Sequence, residues 1–249
     1  MNSQNYWLQR VLREKNLTKS INTIDKDLQR IYRNAYNNLS MELKKLYWEI
    51  LEAEGEILPS HLYQYNRYYI LMNKIQDELI NLGDKEQRYF ERELTGVYKF
   101  NRKLINPSFN AELNKQAIET AIHTAWLNDV WSNRIWNNLD QLSARVRSEV
   151  VTIFTTGQST DDFIKGLMKD FSASYSRSKT LANTELAHYS TMATLDGYIE
   201  MGVTKYKVIV EKDCCETCEE VSNQIFDIND DSGLVPLHPN CRCSIVAVE

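Results

Sequence analysis

Apolar residues recur every three or four positions from residue 21 to residue 50, a period that predicts one long amphipathic helix. A stripe of about eight helical turns needs a partner face to cover it. That face lies either within the same chain, which is the simpler expectation, or on another subunit that the stripe would contact. The stripe comprises Ile21, Ile24, Leu28, Ile31, Ala35, Leu39, Leu43, Leu46 and Ile50.

The helical pattern continues beyond this stripe, because glycine and proline are scarce in the first part of the chain. It predicts a second helix over residues 62–82, ended by Gly83, and a third from there to residue 105. Beyond the break at Pro107, helix is predicted again over residues 111–156, across three tryptophans. The N-terminal part is therefore expected to be mainly α-helical.

Glycine and proline become denser after residue 156, and shorter elements follow. Ser159, with two acidic residues soon after it, predicts the N-cap of a helix that continues through Lys169. A further helix over residues 178–201 is stopped by Gly202. Stretches rich in β-branched and aromatic residues predict strands over residues 205–210, 225–228 and 244–248. The fold class is α+β: a mainly α-helical N-terminal part followed by a small α+β domain with a short β-sheet.

Cysteine and histidine are concentrated near the end of the chain. Four of the five cysteines and one of the four histidines fall in two short clusters with nineteen residues between them. Two thiolates on one turn, with an imidazole and further thiolates on a second, can surround Zn²⁺, which binds four sulfur or nitrogen ligands tetrahedrally. The predicted structural zinc clip uses Cys215, Cys218 and His238, with its fourth ligand from Cys241 or Cys243.

Free thiols and disulfides are the alternative states of these cysteines. The cysteine count is odd, the N-terminus lacks the basic and apolar segments of an export signal, and a reducing cytoplasm keeps thiols reduced. The ligand choice stays open, because Cys214 adjoins Cys215 in the first cluster. In the second cluster, Cys241 and Cys243 would point to opposite faces of an extended strand unless a turn intervenes. A catalytic zinc is not expected, since the chain has no H-E-x-x-H motif.

Composition places the chain among globular proteins: 43% of its 249 residues are hydrophobic, and no run of eighteen apolar residues predicts a membrane span. The net charge of −5 is distributed unevenly. Residues 1–156 carry 21 basic and 19 acidic side chains, whereas residues 157–249 carry 8 and 15. This acidic C-terminal part disfavours a nucleic-acid-binding module, although Lys99, Arg102 and Lys103 form a small basic group that could contact DNA.

An enzymatic alternative rests on Glu185 and His188, or on a cluster cysteine as nucleophile. Glu185 and His188 are three positions apart and so share a helical face, where Glu-x-x-His can bind a metal. A carboxylate-bridged site would need more carboxylates from other helices, so a satisfied surface pair is the simpler interpretation.

Several stretches of the second half together carry a family resemblance. A C-x-x-C pair followed by H-P-N-C-R-C is the specific feature, and the helical stretches accompany it. The stretches are Leu181–Glu185 with Tyr198–Val203, Asp213 with Cys215–Cys218 and Pro236–Cys243, and, upstream, Trp131–Trp136 and Gly157–Ser159. In this combination, about residues 110–249 resemble the phage Mu F-type head morphogenesis family, the minor head proteins of tailed phages. Asn183 departs from the family, which commonly has arginine there, and Arg177 is a candidate substitute.

The resemblance implies a structural minor head protein of a tailed phage or prophage, associated with the portal and acting in head morphogenesis and in DNA delivery at ejection. The portal protein is the implied partner, with scaffold or major capsid protein as further partners. Manufacture in the bacterial host cytoplasm and location in the virion head follow, and no enzymatic activity is expected. The implied domains are an elongated helical region over residues 1–108 and the Mu F-type domain over residues 109–249.

Overall fold

The structure is a computed structural model of the chain, and it describes residues 3–156, 159–211, 214–222 and 224–248. Three residues of the stretches that resemble the family lie outside the described residues. These residues are Gly157, Gln158 and Asp213.

Long helices make up most of the described chain, and a small sheet lies near its C-terminus. The helices are α1 (Ser3–Glu54), α2 (Pro59–Tyr63), α3 (Arg67–Ile105), α4 (Lys115–Ile122), α5 (Trp131–Thr156), α6 (Thr160–Glu200) and α7 (Glu216–Val221). The strands are β1 (Lys205–Ile209), β2 (Ile225–Asp227) and β3 (Ser244–Val248). All pairings are antiparallel, and the strand order is β2-β1-β3. The α+β fold class predicted from the sequence is confirmed.

The long apolar stripe of α1 is buried by the chain itself. Leu28 and Ile50 are fully buried, and Leu39 is 1% exposed. Ile21 and Leu46, the least covered members, are still half-buried. The stripe is therefore core, and the alternative in which it forms an exposed contact surface for another subunit is wrong.

Gly83 does not end a helix, and the predicted second and third helices are a single helix, α3. A Cβ atom at Gly83 would lie 2.5 Å from the ring of Trp136. This glycine therefore permits a close helix contact within an uninterrupted α3. The glycine that predicted a helix end from the sequence instead marks a position of close helix packing.

The two helices predicted on either side of residue 170 are likewise one helix, α6. Serine has only moderate helix propensity, but Ser174 and Ser178 are buried and their hydroxyls form hydrogen bonds with the Tyr32 hydroxyl. Tertiary contacts thus keep this stretch helical. The predicted start is confirmed, since the backbone N–H of Asp162 donates to Ser159 Oγ at 3.2 Å.

Residues 111–156 are not continuous helix, because α4 ends at Ile122 and α5 begins at Trp131. Between them, Leu127 and Asn128 have φ angles of 49° and 64°, and Trp126 pairs with Asp129 on either side. Two consecutive positive φ angles within a paired turn are typical of type I′ geometry. This turn moves Trp126 out of the helical path and into the interior contact described below.

The chain forms two compact units. The sheet unit comprises Met1–Asp25, Tyr89–Trp131 and Thr180–Glu249, and the helical unit comprises Lys26–Arg88 and Ser132–Lys179. Each unit combines segments from both sides of residue 108, and the boundary inferred from the family resemblance stays a prediction. No helix in the described part of the chain is both long and apolar enough to cross a membrane.

The core of the sheet unit leads directly to the cysteine cluster. Tyr206 and Val208 of β1 are buried, and Ile245 of β3 pairs with Val208 and is fully buried. Cys218 and Cys241 belong to the same buried group of side chains. The thiols therefore lie against an apolar sheet face, where water cannot readily solvate them.

Candidate metal centre

The first cysteine pair lies at the start of α7, a short helix that the sequence analysis did not predict. Cys215 is the residue before the helix, and its carbonyl accepts hydrogen bonds at 3.0 Å from the backbone N–H groups of Cys218 and Glu219. This turn brings the thiols of Cys215 and Cys218 close together, so both can belong to one group of potential ligands. Cys215 is exposed, whereas Cys218 is completely buried.

The second group is shaped by a tight turn from His238 to Cys241. The backbone N–H of Cys241 donates to the His238 carbonyl at 3.2 Å, and Asn240 has a φ of 61°. Asparagine tolerates this left-handed conformation better than most residues. Strand β3 begins only at Ser244, so Cys241 and Cys243 precede the extended backbone that would have pointed them to opposite faces.

Cys218 connects two overlapping groups of potential ligands. Its sulfur lies 3.2 Å from His238 Nε2 and 3.6 Å from the sulfur of Cys241. The ligand atoms of Cys215, Cys218 and His238 all lie within 4.8 Å of one another. Those of Cys218, Cys241 and Cys243 do so as well, while Cys214 lies outside both groups.

These separations fit a tetrahedral metal. With zinc–sulfur bonds of about 2.3 Å, neighbouring sulfur ligands lie about 3.8 Å apart. The 3.6 Å between Cys218 and Cys241 is close to that spacing. The structure thus brings the five residues predicted from the sequence into two groups of three that share Cys218, and each group could hold a metal ion.

His238 presents the nitrogen that a metal would need. Its Nδ1 atom lies 2.9 Å from the carbonyl oxygen of Pro239, and a carbonyl can only accept a hydrogen bond. The proton therefore resides on Nδ1, and the lone pair of Nε2 faces Cys218. A backbone carbonyl that holds the second nitrogen in this way is the usual support of a metal-binding histidine.

The three buried thiols compete for protons. A hydrogen bond from Cys243 lowers the pKa of Cys241 to about 5. Burial raises the pKa of Cys218 to about 12, and the hydrogen bond with Cys241 raises the pKa of Cys243. One thiolate is thus stabilised at the expense of its neighbours, whereas a divalent cation would stabilise several thiolates at once.

Helix α6 holds the second ligand turn in place. Asn183 Nδ2 donates to Asn240 Oδ1 at 2.9 Å, and the backbone N–H of Asn240 donates to Thr184 Oγ1 at 3.0 Å. Asn183, at the place where the family commonly has arginine, thus contacts the ligand turn directly. The proposed substitute, Arg177, instead donates to Asn138 Oδ1 at 2.6 Å.

Arg13 supports the same region and was not singled out in the sequence. It is 6% exposed, and its Nη1 donates at 3.3 Å to both Thr194 Oγ1 and the carbonyl of Ile245. It therefore ties α1 and α6 to the strand that follows the last cysteine. A lone arginine on a long helix carries no sequence signal for this role.

Glu185 and His188 form a packed cluster with Trp126. Trp126 Nε1 donates to Glu185 Oε2 at 2.8 Å, and Glu185 and His188 are both buried, so the expectation of a surface pair is wrong. The ring of His188 stacks on Trp126 with centroids 4.0 Å apart and planes 3° from parallel. Among the described residues, the potential metal-ligand groups of at least three side chains are the two that share Cys218, and neither includes Glu185 or His188.

Residues 144–246 match the family model described as Phage Mu protein F like protein. The matched range contains the five candidate ligands and the α6 residues that hold their turn. This match confirms the family resemblance predicted from the sequence and associates the chain with phage head morphogenesis. The comparisons found no match among curated proteins and none among solved structures.

Proposed function

We propose that the protein is a structural minor head protein of a tailed phage or prophage, associated with the portal and acting in head morphogenesis and in DNA delivery at ejection. The observation that carries this proposal is the family match over residues 144–246. The matched segment is a folded region in which α6, the short sheet and the cysteine cluster support one another, as expected of a structural module.

The metal centre is proposed to be a structural zinc site. Zinc bound by four protein ligands has no open position for a reacting water, and it would link the α7 turn to the His238–Cys241 turn. In the proposed shell, Cys215, Cys218 and His238 provide three ligands, and either Cys241 or Cys243 provides the fourth. The two groups of three that share Cys218 support this proposal. Binding energy at such a site is folding energy for the segments that it joins.

Catalytic turnover is not part of the proposal. Glu185 is committed to Trp126, and His188 stacks on the same indole. These contacts give both residues a packing role that does not require a substrate. The cluster cysteines are proposed as ligands, which would occupy the thiolates that an enzyme would use as nucleophiles.

The proposed partner is the portal protein, with scaffold or major capsid protein as further head partners. The protein would be made in the bacterial host cytoplasm and incorporated into the virion head. Direct DNA contact through the C-terminal part is not favoured, because residues 157–249 carry 15 acidic and 8 basic side chains.

The proposal can be tested by deleting the gene in the phage or prophage that carries it and supplying a tagged copy. Purified heads should contain the tagged chain, and chemical cross-linking followed by mass spectrometry should connect it to the portal protein. Deletion should reduce the yield of filled heads or block DNA ejection. Purified heads that lack the protein, together with normal assembly and ejection after deletion, would contradict the proposal.

A matched pair of variants separates the clip from the head function. Cys218→Ser removes the shared candidate ligand, whereas Cys214→Ser changes a thiol outside both ligand groups. The proposal expects only Cys218→Ser to lower incorporation into heads. Equal incorporation of both variants would show that the clip is not needed for incorporation into heads. The proposed head function would then be tested by the deletion alone.

A further inference from the structure

A cleft of about 730 Å³ lies in the sheet unit, between the last two turns of α3 and the segment that follows this helix. Phe100 and Leu104 of α3 line one wall, and Phe109 lies in the following segment. Phe100 and Leu104 are half-buried, while Phe109 is 8% exposed. The lining therefore offers apolar side chains that remain partly accessible to a ligand.

Two lysines lie beside this apolar surface. Lys99 and Lys103 line the same cleft and are four positions apart on α3, so they lie on one helical face about one turn apart. Phe100 and Leu104 have the same spacing and follow each lysine by one position. A basic stripe and an apolar stripe thus run side by side along the wall of the cleft.

The lysines are available to a partner, whereas the neighbouring arginine is not. Arg102 is buried and forms ion pairs with Asp196 and Glu200 of α6. Within the part of the chain that the structure describes, neither Lys99 nor Lys103 forms an ion pair. Two unpaired cations beside an apolar surface complement a ligand that combines carboxylates with apolar side chains.

We propose that this cleft binds an amphipathic helical segment of another protein, with one acidic stripe against Lys99 and Lys103 and one apolar stripe against Phe100 and Leu104. This is the helix-in-groove mode, in which side chains one turn apart anchor the ligand. The inference depends neither on the metal centre nor on the assignment to phage heads.

Two features favour a protein segment over a nucleic acid. Phosphate backbones need several cations, whereas the cleft offers only two lysines, beside the apolar side chains of Phe100, Leu104 and Phe109. The last lining residue, Glu112, opposes phosphates and acidic side chains alike, so it does not discriminate between the two ligands. Leu113, next in the chain, is 85% exposed and extends the apolar surface available to a protein ligand.

The probe is a fluorescein-labelled peptide of three Ala-Glu-Leu-Ala repeats, which places glutamate and leucine in adjacent stripes with a spacing of four. A hydrocarbon staple on its remaining face keeps it helical. Fluorescence anisotropy against the full-length chain should show saturable binding that weakens as salt is added. The same peptide with lysine in place of glutamate should bind about tenfold more weakly or not at all.

The test variant is the double charge reversal Lys99→Glu with Lys103→Glu. Its control is Lys15→Glu with Lys19→Glu, a pair that is exposed on α1 and has the same spacing and the same change of charge. The cleft variant should lose at least about tenfold in affinity for the acidic peptide, and the control should lose little. Circular dichroism of each variant establishes that the fold is retained, and the milder Lys99→Gln with Lys103→Gln should give an intermediate loss.

Three results would overturn the proposal. They are the absence of saturable binding to the wild-type chain, an equal loss in the α1 control, and undiminished binding of the lysine peptide. A labelled oligothymidine strand provides the remaining comparison. If it binds more tightly than the acidic peptide and depends on Lys99 and Lys103, the cleft is a nucleic-acid site instead.

Discussion

Each of the two compact units buries a polar cluster, and the two clusters satisfy their polar atoms differently. In the helical unit, the Tyr32 hydroxyl donates to Glu86 Oε2 at 3.0 Å and lies 2.7 Å from Ser178 Oγ. Asn138 Nδ2 donates to the same Ser178 Oγ at 2.9 Å. In the sheet unit, Cys218 and its neighbours direct sulfur and nitrogen lone pairs toward one another. The first cluster pairs donors with acceptors, whereas the second collects metal ligands.

The comparison shows what each cluster requires to be stable. A hydroxyl or amide can donate and accept, so the helical cluster is largely satisfied by its own members. Thiolates and a neutral imidazole nitrogen are all electron-pair donors, so the cysteine cluster retains shared protons or needs a cation. Removal of metal should therefore affect only the sheet unit, and a change of proton concentration should affect the helical cluster through its carboxyl group.

The largest expected effect is that of Cys218→Ser. Serine oxygen is a poor replacement for a thiolate on zinc, and Cys218 belongs to both ligand groups. Because structural zinc sites contribute on the order of 10 kcal/mol to folding, the variant should lose bound zinc and the amide protection of the three strands. Hydrogen exchange measured by mass spectrometry should detect this loss while protection in the helical unit is unchanged.

Cys214→Ser is the matched control for that substitution. Cys214 is half-buried but lies outside both ligand groups. The zinc content and the strand protection of the Cys214→Ser variant should equal those of the wild type. Equal loss in both variants would mean that general thiol packing, and not ligation, stabilises this region.

The next effect concerns the pH dependence of the helical unit. Burial raises the pKa of Glu86 from 4.5 to about 7. The folded state therefore favours the protonated acid, so its contribution to stability is complete below pH 4.5 and is lost as the pH rises to about 7. The shift corresponds to about 3 kcal/mol in the free energy of unfolding.

Glu86→Gln isolates this contribution, because glutamine keeps a neutral acceptor for Tyr32 and cannot ionise. The free energy of unfolding in urea, measured from pH 4 to pH 8, should fall by about 3 kcal/mol more in the wild type than in the variant. Glu49→Gln, at an exposed position of α1, should follow the wild-type curve. Parallel curves for wild type and Glu86→Gln would contradict the assigned burial effect.

The smallest effect is expected for Glu185→Gln. This contact with Trp126 lies outside both clusters, and the glutamine amide can still accept from the indole N–H through its oxygen. Because the carboxyl group is replaced by an amide inside a closely packed contact, stability should fall by about 1 kcal/mol. Thermal unfolding measures that change, and a catalytic activity abolished by the substitution would show that the packing role is incomplete.

Short-range signals in the sequence correctly predicted the strand starts and the helix ends that neighbouring residues determine. The strands begin at the predicted residues, Ser159 caps α6, and Gly202, with a φ of 75°, follows its end. The periodic stripe of α1 identified core positions. Clustering of cysteines identified residues that the structure brings together, although it could not rank Cys241 against Cys243.

The errors arose where tertiary contacts override local preference. Gly83 continues a helix because Trp136 needs the space, and the stretch around Ser174 and Ser178 stays helical because these two hydroxyls form hydrogen bonds inside the core. The positive φ of Leu127 could not be predicted, because leucine is not a residue type that favours this conformation. Asn183 shows the same limit at the site, because its contact with Asn240 joins residues that are 57 positions apart.

The central claim is that the cysteine cluster is a structural metal site, and zinc content tests it most directly. The full-length chain should be purified under reducing conditions without a metal-affinity tag, and its metal should be measured by inductively coupled plasma mass spectrometry. The expected result is about one zinc per chain, with loss of strand protection after chelation. A metal-free chain with fully protected strands would contradict the claim.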